Sequence, residues 1–166
     1  MRKADYPQGK WQNVAFFLAA LLVLAPDQLS KLWIRSNLAL GQTLFDVGFF
    51  RIIHISNTGA AFGLFPGQSF ALSIVTIVGV ALLLIFVLFV HRWFPLLDSM
   101  LSKVALGLIL GGALGNLIDR LYLGYVTDFI DFKVWPVFNI ADSAEVIGVI
   151  IIFAYSLRFL ARAGKG

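Results

Sequence analysis

The alternation of apolar and polar residues divides the chain into four long apolar stretches, at about 13–33, 70–90, 101–121 and 140–160, joined by shorter polar or aromatic connections. Each stretch is close to the roughly 20 helical residues needed to cross about 30 Å of hydrocarbon. The second is the cleanest, with Ser73 and Thr76 as its only polar side chains, whereas the first is interrupted near its far end by Pro26, Asp27, Gln28 and Lys31. The first stretch resembles the apolar region of a signal peptide. It lacks a small-residue cleavage site and three more stretches follow, so it is read as a retained helix.

The first long connection, 35–69, alternates Phe50, Ile52, His54 and Ser56 with Arg51, Ile53 and Ile55 before the turn-prone Asn57-Thr58-Gly59. This pattern predicts a short strand. The second, 122–138, spaces Tyr122, Tyr125, Phe129, Phe132, Trp135 and Phe138 among polar residues, a composition suited to the lipid headgroup layer. The expected architecture is an all-α integral membrane protein with four transmembrane helices and a small extracytoplasmic β-element. No linker or repeat divides it, so residues 1–166 are read as one membrane-embedded domain.

Composition strengthens the membrane reading. With 60% hydrophobic and only 13% charged residues, and a mean hydropathy of +0.89, the chain has too little polar surface for a water-soluble fold. It has no cysteine, which excludes disulfides, thiolate metal sites and thiol nucleophiles. Arg2, Lys3, Lys10, Arg92, Lys103, Arg158, Arg162 and Lys165 flank the termini and the middle connection, against Lys31, Arg35, Arg51, Arg120 and Lys133 elsewhere. The positive-inside bias places both termini in the cytoplasm. It also accounts for the net charge of +4 without nucleic acid. Asp5 and Asp98 then lie inside, and the other seven acids lie at or beyond the outer helix ends, so carboxylate chemistry faces outward.

Within the third stretch, Gly107, Gly111, Gly112 and Gly115 form small-xxx-small repeats that read first as helix packing. Asn116 and Asp119 share a helical face with Arg120 adjacent, which suits either an ion-pair network or support of a site. Asn139 and Asp142 have the spacing of an N-cap and a first-turn acid, and Glu145 one turn later has a similar dipole-based explanation. Asp128 is harder to explain as structure, because it sits in an aromatic connection with no cation beside it in sequence. A short connection makes the third and fourth helices antiparallel neighbours, so Asp128 and Asp142 converge at their outer ends.

Two carboxylates held together share a proton, and one can activate water while the other protonates the substrate. Alternatives are poorer. His54 and His91 are expected on opposite faces and no metal-ligand cluster appears, while a serine triad lacks its elbow motif. Asp131, three residues after Asp128, is a competing partner for Asp142 on spacing alone.

These residues fall in runs that resemble a known family. D-Q-L-S-K from Asp27, N-T-G-A-A-F from Asn57, G-G-A-L-G-N-L-I-D-R from Gly111, V-T-D-F-I from Val126 and F-N-I-A-D-S from Phe138 look like the sequence blocks of signal peptidase II, the lipoprotein signal peptidases, in the family's order. The resemblance implies an aspartic endopeptidase of the bacterial cytoplasmic membrane that removes the signal peptide of a prolipoprotein before its diacylglyceryl-modified cysteine. It implies Asp128 and Asp142 as the catalytic pair, with Asp27, Asn57, Asn116, Asp119, Arg120 and Asn139 positioning substrate or supporting the pair. No metal or organic cofactor is implied. The expected partners are lipidated prolipoproteins and membrane lipids, and the protein is expected to be a monomer with its site near the outer face. Connection 35–69 is expected to close over the substrate.

A proton-coupled transporter or channel subunit is the rival from another class, since intramembrane acids also mark ion paths. The acids cluster at one face and no inverted repeat is present, which disfavours it. A structural assembly factor using the glycine-rich helix is the remaining alternative. Asp→Asn changes discriminate, because they would abolish turnover in an enzyme and leave a scaffold indifferent.

Overall fold

The computed structural model describes residues 8–59, 67–90, 93–94, 97 and 99–163. Four helices are long and apolar enough to cross a membrane: α1 (Gln8–Asn37), α2 (Ser69–Ile85) continued by a π-helical turn (Phe86–Val90), α3 (Met100–Leu123) and α4 (Ile140–Ala163). They match the four apolar stretches and extend the first at both ends. Pro26 lies on an exposed face of α1 and does not end the helix, at the cost of one helical hydrogen bond. Within α2, Ser73 bonds back to Ser69 O at 2.8 Å and Thr76 to Leu72 O at 2.8 Å, so these two hydroxyls are not left bare in the span.

The central helix is α3, which packs against α1, α4 and α2. Its glycines explain why. A Cβ at Gly111 would lie 2.5 Å from Ala20 O on α1, and one at Gly112 would lie 2.5 Å from Ala141 O on α4. Backbones in lipid gain little from hydrophobic burial, so close approach through small residues supplies the dispersion contact. Ser99 caps the start by accepting the Ser102 N–H, and Gly124, with φ 79°, ends the helix in the left-handed conformation that favours glycine.

Residues 43–46, 51–57 and 126–131 form an antiparallel sheet in the order β1 (Thr43–Asp46), β2 (Arg51–Asn57), β3 (Val126–Asp131). The expected strand near 50–56 is β2. The second connection, read for its aromatic spacing, also supplies β3 and a further bridge from Ile130 to Phe138. Its sequence hid the strand because β3 is buried on both faces, which removes the alternation that marks a half-buried strand. The register places Ile55 opposite Asp128 and Arg51 opposite Asp131. Phe129 packs with Ile34 and Leu38 at the end of α1, seating the sheet on the helices. Residues 60–62 of the N-T-G-A-A-F run, His91, and Arg2, Lys3, Asp5, Arg92, Asp98 and Lys165 of the charge pattern lie outside the described residues, as do positions 60–66 of the connection expected to close.

A Gly111→Ala change should lower the thermal midpoint in detergent, at a cost of about 1–3 kcal/mol, because backbone must move to admit the methyl group. Gly79→Ala, with nothing within 4 Å of the new atom, should be neutral or slightly stabilising; equal effects would refute the close-packing account.

Candidate active site

The loop before α4 and the end of α3 bring the polar residues together. Asn139 caps α4 reciprocally with Asp142: the Asp142 N–H donates to Asn139 Oδ1 at 2.9 Å, and the Asn139 N–H donates to Asp142 Oδ2 at 3.1 Å. This is the capping-box arrangement with Asn and Asp as its members. The Asn139 side-chain amide also donates to Asp128 Oδ1 at 2.7 Å. A single asparagine therefore touches both carboxylates, Asp128 from β3 and Asp142 from α4, and both line one cavity of about 360 Å³.

Each acid has a second donor. Asn57 Nδ2 reaches Asp128 Oδ2 at 3.0 Å, and Asn116 Nδ2 reaches Asp142 Oδ1 at 2.8 Å. The orientation of the Asn116 amide follows from its other end, where Oδ1 accepts from Lys31 Nζ at 2.9 Å and from Asn139 Nδ2 at 3.1 Å. Two donors on the oxygen leave the amide nitrogen to face Asp142. Lys31 is fully buried and pairs with Asp27 Oδ2 at 2.9 Å, with Asp119 Oδ2 at 3.7 Å.

Asp27 and Asp119 do not touch the two cavity acids. Asp27 Oδ1 accepts the Ala141 N–H at 2.9 Å, satisfying a first-turn amide of α4. Asp119 Oδ2 accepts the Thr127 N–H at 2.9 Å, and its Oδ1 takes Arg35 Nη1 at 3.1 Å, which holds β3 one residue before Asp128. Arg120 is turned away from this pairing and donates through Nη2 to Gly59 O at 3.2 Å, beside the Asn57 turn. Lys31, Arg35 and Thr127 were given no site role from the sequence, although a lysine four residues after Asp27 in an apolar stretch is itself a sign of a buried ion pair.

Asp128 and Asp131 differ sharply. Burial, followed by the charge of Asp142, pushes Asp128 up to about 7 against the hydrogen bonds from Asn57 and Asn139. Asp131 is raised by burial, but the Lys133 N–H and the Arg51 guanidinium, 2.6 Å away, outweigh this and bring it below the ordinary range. Asp131 is thus occupied by a cross-strand ion pair, and Asp128 is the β3 acid in the cavity.

The family model for signal peptidase (SPase) II matches residues 19–158. The lipoprotein signal peptidase of Moorella thermoacetica is 50% identical over 138 residues, covering 82% of this chain and 89% of that protein. One from Dehalococcoides mccartyi is 45% identical over 139 residues, 84% and 86% of the two chains, and one from a Nostoc species is 42% identical over 152 residues, 90% and 93%. A solved structure described as a bacterial membrane enzyme, obtained in meso at 2.3 Å, superposes with a TM-score of 0.79 at 34% identity over 89% of this chain and 90% of that one. A second, at 1.9 Å, gives 0.73 at 35% identity over 86% and 92%.

Two outcomes follow from this geometry. Lys31→Met leaves Asp27 and Asp119 without their shared buried cation and should destabilise the fold by about 3–5 kcal/mol, seen as early thermal unfolding. The second concerns pH. Asp128 titrates near 3.8 when unfolded and about 7 when folded, so the native state retains a proton that the unfolded chain has lost in between. Its stabilising contribution is full below about pH 4 and declines as pH rises toward 7. The wild-type midpoint should fall between about pH 5 and pH 8 relative to Asp128→Asn, and parallel curves would refute this.

Proposed function

The chain belongs to the signal peptidase II family, a multi-pass bacterial membrane peptidase that removes lipoprotein signal peptides, and from that premise we propose that Asp128 and Asp142 are its aspartic catalytic pair, cutting immediately before the lipidated cysteine. The observation that carries the pairing is the double hold of Asn139 on both carboxylates at one cavity.

Asp142 is the base in this reading. It stands in the first turn of α4, where the helix dipole and the Asn139 N–H it accepts favour an ionised carboxylate. Asp128, held up at about 7, carries the pair's proton. Water between them gives its proton to Asp142 while its oxygen attacks the scissile carbonyl carbon, and Asp128 protonates the carbonyl oxygen. The resulting gem-diol then collapses. Its C–N bond breaks, the leaving amine of the cysteine takes the proton from Asp142, and a hydroxyl proton returns to Asp128, restoring the starting state. The pair titrates jointly, so its activity should follow the shared proton. Arg120 borders the cavity, with no acceptor for its Nε–H among the described residues; its proposed role is to bind a substrate carbonyl. Asn57, Asn116 and Asn139 hold the carboxylates, and Asp27 and Asp119 hold the backbones that carry them.

Exposed Phe45, Phe49, Tyr122 and Trp135 at the sheet end suit the headgroup layer. With the positive-inside pattern, they support a site near the outer face and cytoplasmic termini. The substrate's acyl chains then stay in the bilayer while its scissile bond meets the pair, in a monomer of one domain with no cofactor in the reaction.

The test is cleavage of a diacylglyceryl-modified prolipoprotein by the detergent-purified protein. Asp128→Asn and Asp142→Asn should each lower kcat by about 10³-fold or more, whereas Asp131→Asn should retain turnover at permissive temperature. Activity should decline as pH rises through about 7, where Asp128 loses its proton. Normal cutting by Asp128→Asn would sink the assignment.

A further inference from the structure

A second cavity of about 410 Å³ lies between α2, α3 and α4 and meets the first at Asn116, Arg120 and Asp142. Along α2 it is lined from Leu72 to Leu83, a run of about 16 Å at helical rise, and it opens to lipid past Val75, which is 67% exposed. Its walls are apolar apart from Thr76, whose hydroxyl donates to Leu72 O, and the end beside Asp142. There, one turn along the same face of α4, stands Glu145.

The Glu145 stem rests on Gly112, where an added Cβ would lie 2.6 Å from its Cγ. Its carboxyl makes no hydrogen bond or ion pair with any described residue and borders the groove. Neither the capping of α4 nor the proposed reaction uses it. The Arg120 charge reaches the carboxyl without a hydrogen bond joining them, so its acceptor capacity stays unused, which is costly beside hydrocarbon, and a pure acyl chain in the groove would leave it so. A peptide brings donors. An apolar segment passing down the groove with one donor-bearing side chain near the scissile bond would satisfy the carboxyl and the walls together.

We infer that Glu145 is a specificity-determining residue that accepts a hydrogen bond from a hydroxyl-bearing side chain of the signal peptide, in the stretch just before the cut, with that stretch lying in the groove between α2, α3 and α4. The inference rests on the peptidase reading above and adds a subsite to it.

The test compares kcat/KM on lipidated prolipoproteins in which each residue preceding the modified cysteine is changed in turn within the isosteric pairs Ser/Ala and Thr/Val. At one position the wild type should favour the hydroxyl by about tenfold. Glu145→Gln, which keeps an acceptor, should retain most of that preference. Glu145→Leu should reduce it to less than about twofold, with the apolar substrate cut at least as well as by the wild type. Shortening the acyl chains should affect wild type and Glu145→Leu equally.

A wild type without preference at any position, or a preference unchanged in Glu145→Leu, overturns the inference while leaving the catalytic pair standing. An acyl-chain effect confined to one of the two proteins overturns it by placing lipid in the groove. A wild type that cuts none of the substrates overturns the peptidase reading and this inference together.

Discussion

The arrangement of the site depends on one buried cation. The Lys31 ammonium, with no exposed surface, is held by Asp27 on its own helix and by Asn116 and Asp119 on α3. An ammonium in such surroundings persists only when nearly all its donors are used, so the helices must meet in this register. From there the constraint spreads. Asp27 secures an amide of α4, Asp119 secures the backbone of β3, and Asn116 is left with its amide nitrogen toward Asp142. Placement of both cavity acids traces to where this charge is neutralised.

The close contact between α1 and α3 makes that neutralisation possible. Glycines at 107 and 111 let the two backbones approach until side chains no longer separate them, and Asp27 itself lies against Gly115. The same economy of space appears on the other side of α3, where Gly112 admits α4. Packing that would be ordinary in a membrane bundle here also sets the distance over which Asn116 and Asn139 must reach. The structural and functional explanations of Asp142 consequently coincide. It completes the cap of α4, and the cap points its carboxylate into the cavity.

Much of this was legible in the chain. The four spans were, because apolar runs of sufficient length have few alternatives in lipid, and the N-cap at Asn139 was, because capping depends on spacing of only a few residues. β3 was not, since burial on both faces erased its alternation. Arg120 illustrates the other gap: adjacency to Asp119 suggested a pairing, but neighbours on a helix point in different directions, and Arg120 reaches Gly59 while Asp119 takes Arg35 and Thr127.

A bundle of four membrane helices with most of its acids toward one end could be read from the chain, because hydrophobic length and charge asymmetry act locally on each segment. The chain also carried the motif runs that identify the family. The motif runs implied Asp128 and Asp142, but the physical reason that Asp128 and not Asp131 reaches the cavity exists only in the folded chain. Asp131 and Asp128 lie three residues apart on one strand with similar intrinsic chemistry. Their difference arises because Arg51, 80 positions away, neutralises one while the loop before α4 brings Asn139 and Asp142 to the other. Electrostatic environment is a property of what surrounds a group in space, and no spacing along the chain encodes it.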